Sequence, residues 1–468
     1  MKIGFDMTYT ISLQLYREGI TVFNRFLFEA LLETRPDLSL EFWCYESNLA
    51  EIRNAYRSLF EKYRGRVTVL TEVRYMGLKP LEFVSVPEFL LKSFRLGWAA
   101  LTFQGRDELL NRKEEWKRSV FSFRRELKPP VNDSGADVAF ISISPHCLNS
   151  EVTFSGPVIL FIHDRQDIIL RDAFKKNIVA VDELIAGANA TLDRLARKGA
   201  FFTCYSSFIR DTCLLGCLPH LKKEQVRALK IPPILRKFEN NGIPAEKVFR
   251  DKFRIEGPYI PFASLIRSNK NILLLLKALR RLKDSGLELK LVTTGTFNGN
   301  IEEQTYISAN DLEENIVETG VLSEAELFAL YKYAALEVVT TRAEGPGIAQ
   351  QCLEALLVGG LPVIHTRAAG IEEALAQRGL SLETEDLNWV DCDDDATLAE
   401  KTREVLADPV KHVEKQKHII SHFTSPGWKE TAGEFLSIME GEILRHREKT
   451  DFDRNECVCK EKSGRNSM

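Results

Sequence analysis

The chain has 468 residues, 44% of them hydrophobic, with 63 Lys and Arg against 67 Asp and Glu. That length and apolar content suffice for a large core in roughly two or three domains. The formal net charge of -4 excludes the strong basic signature of a dedicated nucleic-acid binder.

The opening "MKIGFDMTYT" reads as a strand rather than a charged-then-apolar leader. No uninterrupted run of about 18 apolar residues follows, so a cytoplasmic chain without a membrane span is expected. Nine cysteines occur without a CxxC pair, mostly inside apolar segments, which predicts reduced, buried thiols.

In chain order, Lys2 to Met7 predicts the first strand. The helix after it carries Val22, Phe23, Phe26, Leu27, Ala30 and Leu31 at helical spacing. Further strand-like runs stand at 40–44, 67–70, 136–142, 157–162 and 200–205, separated by stretches long enough for crossover helices. A parallel sheet accounts for that rhythm. Residues 91–128 interrupt it with ten Lys or Arg against five Asp or Glu, interleaved with Phe94, Trp98, Phe103, Trp116, Phe121 and Phe123. This insert reads first as a helix pair with a solvated basic face, and second as a peripheral membrane or lipid-acceptor surface.

Around 230–260 the Pro-punctuated "KIPPILRKFENNGIPAEKVFRDKFRIEGPYIPF" suits a linker into a second domain. The strand–helix alternation then restarts. A helix with Ile272, Leu275, Leu276, Leu279 and Leu282 on one side precedes the strand "LELKLVTTG". "SEAELFALYKYAA" carries a capping box, Ser323 with Glu326, and a stripe of Leu327, Leu330, Tyr331 and Ala334. Strands at 336–341 and 361–365 and a helix at 396–407 complete the unit. Pro261 inside the strand "YIPFAS" removes one ladder donor. The acidic run Asp391, Asp393, Asp394 and Asp395 reads as a helix cap rather than a metal site, and His418 with His422 lacks a third ligand.

In open parallel sheets ligands gather beyond the carboxyl ends of strands. Those ends hold Gly19, His163 and Asp164, and Ser206 and Ser207 in the first half. In the second half they hold Arg267 and Lys270, Thr294 and Gly295, Glu344 to Gly347, and His365. Two cations at one strand end and a glycine loop opening a helix at another suit a diphosphate: Lys gives a point charge, Arg a fork, and backbone N–H groups the rest. A carboxylate at Glu354, if turned to the cleft, suits a ribose diol.

The ordered string "SNKNILLLLKALRRL…LELKLVTTG…NIVETGVLSEAELFALYKYAALEVVTTRAEGPG…CLEAL…GGLPVI…GIEEAL…WVDCDDDATLAEKTREVLADP" resembles the C-terminal domain of GT-B fold, retaining glycosyltransferases of the family 4 type. "TSPGWKETAGEFLSIME" resembles the helix that crosses back to the N-terminal domain in that family. "REGITVFNRFLFEALLE" is similar to its first loop and helix, "FIHD" to its acceptor-side His-Asp, and "CYSSFIRD" to a Ser-containing strand end.

The resemblance implies an α/β protein of two Rossmann-like parallel-sheet domains facing a cleft. Residues 1–240 would form the acceptor-binding domain, 241–425 the nucleotide-sugar domain, 426–447 the crossover helix and 448–468 a disordered tail. It implies a UDP- or GDP-linked sugar donor, a glycan or lipid-linked acceptor, and hexosyl transfer with retention, in surface polysaccharide or glycoconjugate biosynthesis. By position, Arg267 and Lys270 would hold the diphosphate and Glu354 the ribose. Glu344 with the amides of Gly345, Gly347 and Ile348 would hold the sugar hydroxyls, with Thr294 and Gly295 completing the donor wall. His163 would face acceptor and donor sugar, and Gly19 would let the first loop approach the phosphates. No cofactor or metal is implied. The chain would be cytoplasmic, with peripheral contact at the inner membrane face through 91–128.

The family places its two glutamates eight positions apart, whereas Glu344 and Glu354 are ten apart, and "EALLVGGLPVI" carries one extra residue before the Pro. Gln351 or Cys352 is then the alternative ribose-facing position. The same departures leave two other readings: a catalytically silent binding module on this architecture, and a nucleotide-sugar 2-epimerase. The absence of GxGxxG after the first strand argues against a dehydrogenase.

Overall fold

The computed structural model describes residues 1–7, 19–45, 48–72, 135–143, 154–171, 178–234, 242–383 and 386–464. The insert read at 91–128 and the loop before Gly19 lie outside them.

The first domain is a seven-stranded, all-parallel sheet. Its strands are β1 (Lys2–Asp6), β2 (Ser39–Tyr45), β3 (Val67–Glu72), β4 (Val138–Ile143), β5 (Val158–Ile162), β6 (Phe201–Cys204) and β7 (Val226–Ala228), in the spatial order β3-β2-β1-β4-β5-β6-β7. Helices α1 (Gly19–Thr34), α2 (Leu49–Ala55), α3 (Arg57–Lys62) and α4 (Ile178–Arg197) fall between them. The order reverses between β1 and β4, placing a switch point beside the end of β1. Six predicted strands appear within a residue or two of their expected bounds. The edge strand β7 was not expected, because three residues, Val-Arg-Ala, are too few to show a period. The core is aromatic: Phe5 meets Phe28 edge-on with centroids 4.6 Å apart, and Phe42 and Phe140 pack around the same ring.

The second domain opens with α5 (Glu246–Phe253), which lies inside the stretch read as a linker. Phe249 anchors it in a small cluster with Tyr259 and Leu330, so burial of one aromatic outweighs the proline-rich texture around it. There follow β8 (Tyr259–Phe262), α6 (Ile272–Asp284), β9 (Lys290–Thr293), α7 (Ile301–Ala309), β10 (Ile316–Glu318), α8 (Glu324–Lys332), β11 (Glu337–Val339), α9 (Gln350–Glu354), β12 (Val363–His365), α10 (Ile371–Ala376), α11 (Asp395–Ala407) and α12 (Pro409–Thr424). The apolar side of α6 is buried as its period requires. The capping box of α8 forms in full, Ser323 accepting from the Glu326 N–H while Glu326 accepts from the Ser323 N–H. Asp394 caps α11 through the Thr397 N–H at 2.9 Å.

The ladder here is divided into β10-β9-β8 and β11-β12. Pro261 explains the division. The carbonyls of Pro258 and Phe262 accept from the β9 side, whereas that of Tyr259 accepts from Ala335, just before β11. Alternation along a strand turns Pro261 toward β11, where it has no N–H to give.

The last helix, α13 (Trp428–Gly464), returns to the first domain, where Ala432, Phe435, Leu436, Ile438, Met439 and Ile443 join the core built on β1, β2 and β4. It does not stop at 447 but continues to Gly464, through the segment read as a disordered tail. That segment is polar, yet it contains no proline, so a helix nucleated by packing propagates along it. No helix among the described residues is long and apolar enough to cross a membrane. Of the described cysteines, Cys44, Cys204, Cys213 and Cys352 are buried and Cys217 and Cys392 half-buried, all as free thiols.

Phe435, fully buried against Phe140 and Phe161, tests whether α13 belongs to the first domain's core. Phe435→Ala is expected to lower the unfolding free energy by about 3 to 5 kcal/mol, read from denaturant midpoints at constant m-value.

Candidate functional site at the facing strand ends

Beyond β8 the chain turns through Arg267 to Asn271, and this turn is fastened to the segment after β11. Thr340 Oγ1 donates to the Lys270 carbonyl at 2.8 Å, Thr341 Oγ1 to the Asn269 carbonyl at 3.1 Å, and the Arg342 N–H to the same Asn269 carbonyl at 2.8 Å. Asn271, left-handed at φ 51°, donates its side-chain amide to the Cys392 carbonyl and accepts from Arg342. The Thr-Thr pair of "TTRAEGPG" is therefore a clamp. It brings Lys270 Nζ to 2.5 Å from Glu344 Oε1, in an ion pair whose side chains are only 18% and 11% exposed. Arg267, at the outer end of the same turn, is exposed and has no side-chain partner among the described residues.

The glycine loop after Glu344 is shaped by close approach. A Cβ on Gly345 would stand 2.0 Å from the backbone carbonyl of His163 in the opposite domain. Gly347 has φ +82°, and a Cβ there would meet the Ala374 side chain at 2.2 Å. Its N–H closes a turn onto the Glu344 carbonyl. His365 holds the start of α9: its Nδ1–H points at the Thr366 carbonyl, 2.6 Å away, leaving Nε2 to accept from the Ala349 N–H at 3.3 Å. Burial lowers the His365 pKa to about 4, so the ring is neutral and keeps this tautomer. Ile348 is buried in the core beneath.

From the first domain, His163 follows β5. Its Nε2 shares a hydrogen bond with Ser142 Oγ at 2.7 Å, and its Nδ1 with the Tyr205 hydroxyl at 3.2 Å, while Phe23 and Phe161 meet the ring edge-on. Burial lowers its pKa to about 3. A neutral imidazole with both nitrogens engaged does not serve as an exposed base; its carbonyl is the part that meets Gly345. Ser206 Oγ reaches the Gly345 carbonyl at 3.4 Å, and Phe208 packs where a Cβ of Gly370 would fall. Asp164 and Ser207 are half-buried beside this contact.

The other expected residues fall as follows. Gly19 begins α1. Gly295 sits where a Cβ would be 2.7 Å from the Ser264 carbonyl, so it packs the turn after β9 onto the turn after β8, and the Thr294 N–H continues the ladder to Phe262. Glu354 is buried; its Oε2 accepts from the Tyr331 hydroxyl at 3.2 Å, its Oε1 lies 3.5 Å from Gln350 Nε2, and Glu337 is close enough to interact with it. Burial and that second carboxylate push Glu337 well above the usual carboxylate range. The extra residue near "EALLVGG" is taken up by a π-helical turn, Ala355–Gly359, directly after Glu354.

Ser142, Tyr205 and Gln350 escaped the sequence reading. A serine inside the apolar run "VAFISI" was the available signal for the first; nothing local marked the other two. Among the described residues no group of three or more His, Cys, Asp or Glu is placed to hold a metal ion.

Residues 245–422 match the family model described as "Glycosyl transferases group 1". The fold is shared with HepE from Anabaena, solved with UDP-glucose, at 14% identity over 93% of this chain and 99% of that one, TM-score 0.56. It is shared with sucrose-phosphate synthase from Thermosynechococcus elongatus at 13% identity over 95% and 100%, TM-score 0.58. A glycosyltransferase from Rickettsia africae aligns at 11% identity over 95% and 98%, TM-score 0.53. No curated protein sequence matches. At these identities the likeness establishes the architecture, two parallel-sheet domains of the GT-B type.

Gly345→Ala must push the His163 carbonyl away. Small-angle scattering is expected to show a larger radius of gyration with an unchanged far-UV spectrum; an unaltered radius counts against the contact. The two buried histidines also set a pH window. Their folded pKa values, about 3 and about 4, lie below the ordinary 6.5, so the unfolded chain takes up protons first. Stability is full above pH 6.5 and falls as pH drops toward 4 and then 3. Denaturant melts between about pH 6.5 and 4.5, above most carboxylate titration, should give a shallower slope for His365→Gln than for the wild type.

Proposed function

We propose, from a C-terminal domain that matches the glycosyl transferases group 1 model and an architecture of the GT-B type, that this protein transfers a sugar from a nucleoside-diphosphate donor to a hydroxyl acceptor. The observation that carries the reading is the Lys270–Glu344 pair, held at the carboxyl ends of β8 and β11 and facing the His163–Gly345 contact. A cation so placed, with exposed Arg267 three positions before it, suits a pyrophosphate. When a diphosphate arrives it takes over Lys270, and Glu344 is released toward the sugar hydroxyls beside the amides of Gly345, Gly347 and Ile348.

As the anomeric C–O bond breaks, negative charge grows on the departing phosphate, and preorganised cations and N–H dipoles stabilise it. His163, neutral at working pH, orients rather than titrates, its ring fixed by Ser142 and Tyr205. Transfer with retention, of a hexose, to a glycan or lipid-linked acceptor in surface polysaccharide or glycoconjugate synthesis is the finer reading. Gly19 then opens the first loop to the phosphates, Thr294 and Gly295 form the far wall, and the chain works in the cytoplasm with 91–128 at the inner membrane face. For Glu354, burial and the Tyr331 bond favour a supporting place behind the loop over direct contact with the ribose.

The same burial favours, as a second reading, a module on this fold that binds without transferring. Calorimetric titration with UDP and GDP separates the two, since failure to bind either nucleotide argues for the silent module. Lys270→Ala is expected to lower turnover several hundred-fold, because loss of one transition-state charge contact costs about 3 to 4 kcal/mol. Undiminished turnover in that variant would refute the assignment.

A further inference from the structure

The chain crosses between the domains twice, through the linker after Ile231 and through Ser425 to Gly427 before α13. Both crossings are gripped by side chains. Arg378, its guanidinium over the Phe423 ring, donates to the Ile231 carbonyl at 2.7 Å and to the carbonyls of His422 and Ser425 at 2.9 and 3.1 Å. Trp428 Nε1 donates to the Pro233 carbonyl at 3.4 Å. One residue further, Ile234 is held at both its backbone groups by a single side chain: Gln350 Nε2 donates to the Ile234 carbonyl at 2.8 Å, and Gln350 Oε1 accepts from the Ile234 N–H at 3.2 Å.

Gln350 is also the first residue of α9 and directly follows Ala349, whose N–H is held by His365. Its backbone therefore belongs to the glycine loop while its amide reads the linker as a neighbouring strand would. No other residue type does both jobs at this length: Glu lacks the donor, and Asn is one methylene short. Nε2 is also 3.5 Å from Glu354 Oε1, which gives the buried carboxylate at that position a use.

We propose that Gln350 is a positioning residue that couples the loop Glu344–Ala349 to the interdomain linker, so that a nucleoside diphosphate seated on the loop is felt at Ile234 and sets the spacing of the domains. This rests on the transferase reading above. The same loop carries Gly345, where a Cβ would stand 2.0 Å from the His163 carbonyl, so its placement bears directly on how the domains meet.

The test uses the full chain, with Gln350→Ala and the equally long Gln350→Glu. In the wild type, adding UDP or GDP is expected to protect the Ile234 amide region from hydrogen exchange. In both variants that ligand-dependent protection is lost, kcat falls about tenfold or more, as for one or two net hydrogen bonds, and the nucleotide Kd stays within about threefold. A merely structural role moves neither the ligand dependence nor the split between kcat and Kd. Wild-type kcat together with retained protection in Gln350→Ala overturns the proposal. Should the wild-type chain bind neither nucleotide, the reading of a transferase with a UDP- or GDP-linked donor fails by itself. The coupling is then decided by exchange without ligand: faster exchange over 344–349 in both variants upholds it, and unchanged exchange refutes it.

Discussion

A glycine at 345 leaves room for the carbonyl of His163, which lies 2.0 Å from where a Cβ would stand, and the site is organised around that approach across the two domains. Any side chain there would occupy the space of the carbonyl oxygen. Because the contact is backbone to backbone, it aligns the carboxyl end of β5 with the loop after β11. The polar strand ends of both sheets are thereby brought together, and strand ends of open parallel sheets are where ligands collect.

Around the contact, buried polar groups are satisfied by one another. Thr340, Thr341 and Asn271 spend their side chains on backbone carbonyls, and His365 and His163 each have both ring nitrogens engaged. Satisfied networks of this kind rigidify a site, and an unmade bond in them costs more than a made bond gains. The exposed side of the arrangement is left to charge: Lys270 and Glu344 balance each other at the mouth, and Arg267 stands outside. Mostly neutral groups thus fix the geometry, and the Lys270–Glu344 ion pair lies beside them.

Departures from regular structure sit beside this region. Pro261 withholds a donor between β8 and β11 and divides the ladder. The π-helical turn after Glu354 absorbs one additional residue without moving β12 out of register with β11. The longer spacing between the glutamates leaves the second one packed with Tyr331, Gln350 and Glu337. Here the chain keeps its architecture and alters what the architecture presents.

Periodicity made much of the fold legible. The Leu-rich face of α6, the capping box of α8, the Asp394 cap and six first-domain strands could be read locally, since their signals are carried by residues a few positions apart. Lys270 and Glu344 were recognisable as candidates because charge at a strand end is itself a local signal. By contrast, β7 was too short to have a period, and the cluster that buries Phe249 is completed by Ala329 and Leu330, far along the chain, so α5 passed for linker. The continuation of α13 to Gly464 depends on a helix already nucleated by packing on β1, β2 and β4. The state of His163 and the clasp of Gln350 on Ile234 join residues 21 to 116 positions apart. Local sequence therefore determined the elements and the chemistry available at their ends. Only tertiary structure decided which of those groups meet, because desolvation and hydrogen-bond partnership belong to the packed chain and not to any window of it.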